Sequence, residues 1–116
     1  MSDRKAVVER YIEGFRRMDH AMILSCLTDD VVWELYGYTT IKGKDAFDAE
    51  IDNDAFEGKP TLWIDRLVEQ GEVVVALGGG SARQKDGEVL TFLFSDVFTF
   101  AGPAIRRLET YQVNLT

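Results

Sequence analysis

LFSDVFTF, residues 93–100, is a run of aromatic and branched side chains with a single carboxylate inside it. Residues of these types favour a pleated strand, and successive side chains of a strand point to opposite faces. Phe92, Phe94, Asp96, Phe98 and Phe100 therefore share one face, while Leu93, Ser95, Val97 and Thr99 share the other. A carboxylate among phenylalanines is costly to leave ionised and unpaired, so Asp96 either keeps its proton or finds donors. As a neutral acid it donates a hydrogen bond and can steady negative charge on a substrate oxygen. As an ion it can act as a general base.

The strand pattern recurs on both sides of this run. Segments 61–69, 72–83, 89–100 and 104–113 read as strands, separated by Gln70-Gly71, Lys85-Asp86-Gly87 and Ala101-Gly102-Pro103. These breaks are short enough for hairpins, with Asp-Gly the strongest turn signal among them. Gly78-Gly79-Gly80 falls inside a strand and reads as a bulge or bend, since neither a helix nor a Lys-Ser/Thr pair follows it as a phosphate loop requires.

The first half has a helical period instead. Val8, Tyr11, Ile12 and Phe15 form one face of a helix over 3–17, and Asp19 caps a second short helix running through Leu27. Thr28-Asp29-Asp30 then reads as a turn and 31–36 as a first strand. Gly43-Lys44 opens a third helix carrying Phe47 and Ile51, followed by the loop-like stretch DNDAFEGKP. Helices first and antiparallel strands afterwards imply an α+β domain whose helices cover one face of a curved sheet.

At 116 residues the chain forms one domain, 1–116, with one core. No apolar run approaches the roughly 18 residues of a membrane span, so no membrane partner is expected. The net charge of −7, with no basic cluster beyond Arg16-Arg17 and Arg106-Arg107, argues against nucleic acid. One cysteine and one histidine cannot form an intramolecular disulfide or a usual zinc site, so no metal is expected. The charged start MSDRKAVVERY lacks a signal-peptide core, and a cytoplasmic location is expected.

The run VVERYIEGFRRMDHAMILSCLTDDVVWELYG, then IKGKDAF, FSDVFTF and RRLETYQV, resembles the nuclear transport factor 2-like superfamily, in particular its SnoaL-like and ketosteroid isomerase-like proteins. The resemblance covers nearly the whole chain through short, degenerate motifs. It implies a cone-shaped, curved antiparallel sheet wrapped round three N-terminal helices, a deep apolar pocket for a small apolar molecule, and a homodimer formed through the outer sheet face. In the isomerases a helix tyrosine and a protonated strand aspartate form an oxyanion hole, and by motif these fall on Tyr11 and Asp96. The isomerase base would fall on Leu35, with Glu34 on the opposite face of the strand. In the epoxide hydrolase-like branch an arginine is wanted where Phe94 stands, two residues before Asp96. Polyketide cyclases of the SnoaL type close rings with an acidic residue and no cofactor, so the resemblance implies no cofactor here.

These observations give a candidate site with Tyr11 and Asp96 as catalytic residues. Its expected lining is Phe15, Trp33, Leu35, Ile51, Phe56, Trp63, Phe92, Phe94 and Phe98. Glu50 or Asp54 is the candidate substitute for the missing base. An isomerase-like or cyclase-like enzyme is the first expectation. A non-catalytic binder of an apolar ligand, or an interaction module using the outer sheet face, is the alternative. Against the sharper readings, Tyr11 and Asp96 can form a closed structural pair, and aromatics at strand spacing can be plain core. His20 is expected in an exposed surface turn and Cys26 as a small buried hydrophobe. Asp52-Asn53-Asp54 lacks the glycine and glutamate of a calcium loop.

Overall fold

A computed structural model describes residues 3–52 and 55–116. The N-terminal helix α1 (Asp3–Arg17) buries Val8, Tyr11 and Ile12 and carries Asp3 in its first turn and Arg16 and Arg17 in its last, the polarity that suits a helix dipole. Met18, in a left-handed conformation (φ 52°), stops it, and Asp19 caps α2 (His20–Leu24) by accepting from Met22 N–H at 3.0 Å. This second helix is shorter than its sequence pattern suggests. Strand β1 (Leu27–Leu35) begins at Leu27, so Thr28-Asp29-Asp30 lies within a strand rather than a turn. Cys26 C=O accepts from Ile105 N–H at 2.8 Å, and Leu27 pairs with Ile105, so the sheet takes up the chain there.

A short strand, β2 (Thr39–Lys42), precedes α3 (Lys44–Ile51). Four strands follow: β3 (Phe56–Gln70), β4 (Val73–Gln84), β5 (Val89–Ala101) and β6 (Ala104–Asn114). The sheet is open, in the order β2-β1-β6-β5-β4-β3, and antiparallel except for the parallel pair β1–β6. The α+β architecture, with N-terminal helices against a curved sheet, is the one expected from the helix-then-meander order. No helix of the described residues is long and apolar enough to cross a membrane.

Along β5 the two faces separate as alternation requires. Phe94, Asp96, Phe98 and Phe100 are buried, and Leu93 is 43% exposed. The glycine triplet lies in β4, but one of the two irregularities of the β3–β4 ladder lies across from it, where β3 carries Asp65 as an extra residue between Ile64 and Arg66. The glycines instead allow close approach: a β-carbon at Gly79 would lie 2.5 Å from Trp63 Cζ2 and one at Gly80 would lie 2.6 Å from Thr61 C=O. Another irregularity, in β6, decides the site. Ala101 pairs with Ala104 and Phe100 with Ile105, but Thr99 pairs with Arg107, so Arg106 is a bulge and Asp96 comes to face Thr110.

Candidate active site

Between α1, α3 and the inner face of the sheet lies a cavity of about 890 Å³. Its closed end combines α1 (Tyr11, Phe15), β1 (Trp33, Leu35), β5 (Phe92, Phe94, Asp96) and β6 (Thr110), while Glu50, Asp52, Lys85 and Asn114 border it elsewhere. The inward stripe of α1 and the inward residues of three strands meet there, so the site follows from helical and strand periodicity.

Asp96 is 8% exposed, and its Oδ1 has no hydrogen-bond partner. Burial pushes its carboxyl up to about 7, a rise that the neighbouring Thr110 hydroxyl partly opposes. Thr110 Oγ1 in turn accepts from Trp33 Nε1–H at 2.9 Å. Tyr11 is buried, and its hydroxyl is raised well above the usual phenol range, first by burial and then by the nearby Asp96. It packs edge-on against Phe98 at 5.3 Å and Phe15 at 5.2 Å between ring centres. Among the described residues no hydrogen bond joins Tyr11 to Asp96. The closed pair that sequence reasoning allowed is not formed by a hydrogen bond, and Asp96 faces Thr110 across the β5–β6 ladder.

Most of the expected lining residues border the cavity: Phe15, Trp33, Leu35, Ile51, Phe56, Phe92 and Phe94, together with Tyr11 and Asp96. Two do not. Trp63 is 36% exposed on the outer face, where its ring covers Gly79, because alternation along β3 turns Leu62 inward instead. Phe98 is fully buried core behind Tyr11. Asp54 lies outside the described residues. Leu35 borders the cavity, whereas Glu34 turns away and accepts from Thr40 Oγ1 at 2.7 Å. The β1 ladder is regular at both residues, so no bulge brings Glu34 inward. Among the described residues no arginine lines the cavity.

His20 is not the exposed turn residue expected of it. It is half-buried and bridges α2 to α3, its Nδ1 at 2.5 Å from Asp48 and its Nε2 at 3.1 Å from Asp52. Sequence reasoning also missed Thr110 and the donor role of Trp33. The available signal was the alternation of β6, which places Leu108 and Thr110 on the inward face.

A family model described as the SnoaL-like domain matches residues 8–108. Among solved structures the chain is similar to an NTF2-like protein of unknown function from Burkholderia pseudomallei. The two share 28% identity over 96% of this chain and 91% of that one, with a TM-score of 0.86. It is also similar to a putative SnoaL-like polyketide cyclase from Shewanella denitrificans (13% identity, 97% and 92% of the chains, TM-score 0.85). A third similar structure is an LEH-like epoxide hydrolase from M. tuberculosis (18% identity, 96% and 83%, TM-score 0.84). No curated protein matches the chain.

Proposed function

The chain belongs to the SnoaL-like domain family, and from that premise we propose a cofactor-independent enzyme that stabilises an enolate on an apolar carbonyl substrate. The carrying observation is Asp96, a carboxyl that lines the closed end of the cavity and is pushed up to about 7 by burial. A neutral acid there donates to an oxygen as negative charge develops on it, and low dielectric strengthens that bond. Tyr11 keeps its proton through the accessible pH range, because burial raises it, and supplies a second donor. With Leu35 in the cavity and Glu34 turned away, proton transfer at carbon falls to the border of the cavity, where Glu50 is our candidate base. Isomerisation and ring closure both pass through such an enolate.

The leucine at position 35 favours a second reading, in which the cavity binds an apolar ligand without turnover. A titration with substituted naphthols, whose ionised oxygen mimics an enolate, tests the donor site. Native protein should bind them and lower their pKa, and Asp96→Ala should abolish both effects. Equal binding by the variant would remove Asp96 from the site. Binding without turnover in a screen of β,γ-unsaturated ketones and polyketide-like diketones would favour the second reading.

A further inference from the structure

His20 stands between two carboxylates, its Nδ1 at 2.5 Å from Asp48 Oδ1 and its Nε2 at 3.1 Å from Asp52 Oδ1. An ionised carboxylate only accepts hydrogen bonds, and a neutral imidazole has one N–H to give and one lone pair. Both contacts are hydrogen bonds at once only when both ring nitrogens carry hydrogen, so the geometry is that of an imidazolium. A neutral ring keeps one bond and turns a lone pair on the other carboxylate.

Asp48 and Asp52 are four residues apart, about one helical turn, so His20 spans the last turn of α3, whose C-cap is Asp52. A helix C-terminus carries partial negative charge and favours cations. The last turn of α3 has no basic residue, and Asp48 and Glu50 stand there instead; the cation comes from α2 as His20. The turn it holds borders the cavity through Glu50, Ile51 and Asp52.

α2 packs on α1 and α3. On the α1 side Glu13 is paired with Arg16 at 3.1 Å and with Arg17 at 2.7 Å, and Asp19, next to His20, accepts from Met22 N–H. On the α3 side Lys44 is paired with Asp29 at 3.5 Å, while Asp45 and Glu50 add negative charge to the same helix.

We infer that protonated His20 is a clamp on the α3 border of the cavity, and that loss of its proton frees Asp52, the more exposed and more distant of its two partners, and with it the last turn of α3. His20 is a positioning residue outside the cavity lining. The clamp is closed in acid and open in base, whether the cavity turns its ligand over or only holds it.

Amide exchange followed by NMR, corrected for its intrinsic pH dependence, reads the clamp without a ligand. Protection of the Glu50 and Ile51 amides should fall by up to about fivefold between pH 5.5 and pH 9, the scale of a partly exposed ion pair, with no such fall in the middle of α1. His20→Gln should show the low protection at both pH values, and His20→Arg, a cation with several donors at either pH, the high one. At pH 9 the neutral ring should keep its proton on Nδ1, the tautomer that retains Asp48. Protection independent of pH in the native protein, or lost in His20→Arg as in His20→Gln, overturns the clamp. Stopped-flow release of 2-acetylnaphthalene then reads the cavity, an arm that rests on the ketone binding proposed above. Release from His20→Gln should be about two- to fivefold faster than from native protein at pH 5.5 and equal to it at pH 9, a ratio in which Asp96, titrating in both, cancels. Equal release at pH 5.5 overturns the hold on the cavity. A ketone that neither protein binds counts against the proposed function, and amide exchange still decides the clamp.

Discussion

The closed end of the cavity and its border near α3 both use aspartates, in opposite ways. At the closed end Asp96 is cut off from water among Phe94, Phe98 and Tyr11, and its carboxyl moves up towards neutrality. Near α3, Asp48 and Asp52 have side chains 46% and 71% exposed, and both bond His20. His20 is raised chiefly by its hydrogen bond to Asp48 and then by that to Asp52. Burial raises the one group and hydrogen bonding raises the other. Both regions make the fold more stable in acid than in base, one because an acid keeps its proton on folding and the other because a base gains one.

The comparison breaks first at the residue joining the two regions. Phe47 lies on α3, is fully buried, and stacks on Trp33. Phe47→Ala should cost about 3–5 kcal/mol in urea unfolding, the range for a large aromatic lost from a core. A loss under about 1 kcal/mol would show that the closed end and the α3 border are not held by one core.

A smaller effect separates the two by pH. Because the folded carboxyl of Asp96 is raised from 3.8 to about 7, the unfolded chain binds fewer protons between those values, and stability falls as pH rises through that window. Relative to Asp96→Asn, the native protein should lose about 3 kcal/mol between pH 5 and pH 8. A flat difference across that range would mean that Asp96 folds with an ordinary carboxylate pKa.

The smallest effect belongs to His20→Gln. With its folded pKa raised, His20 stabilises fully below its unfolded value near 6.5, and the contribution disappears as pH rises through the folded pKa. The native advantage over the variant should be below about 1 kcal/mol, as for partly exposed ion pairs, present at pH 5.5 and gone by pH 9. Persistence at pH 9 would make the bridge a packing contact.

Much of this arrangement is legible in one dimension. The alternation of 92–100 separates an inward row with Asp96 from an outward row with Leu93, and the stripe of 3–17 turns Tyr11 inward. What stayed hidden depends on register. Counting outward from the Ala101–Ala104 pair without the bulge puts Glu109 opposite Asp96; the extra residue Arg106 substitutes Thr110. The indole of Trp33 reaches Thr110 only because β1 runs parallel beside β6, a non-local pairing that no local pattern encodes. Phe56 to Pro60 read as loop because glycine and proline interrupt it, yet it forms the start of β3. The four residues of β2 are too few to show a period.

β3 is fifteen residues long and lies at an open edge of the sheet. One side of it therefore presents backbone amides with no strand beside them, the template on which copies of a protein polymerise. Pro60, within this strand, has no N–H to offer a neighbour. Asp65 swells the strand so that it twists out of register with any straight neighbour, and Lys59 and Arg66 bring charge to it. The features that make this strand irregular thus also make it a poor template for edge-to-edge pairing.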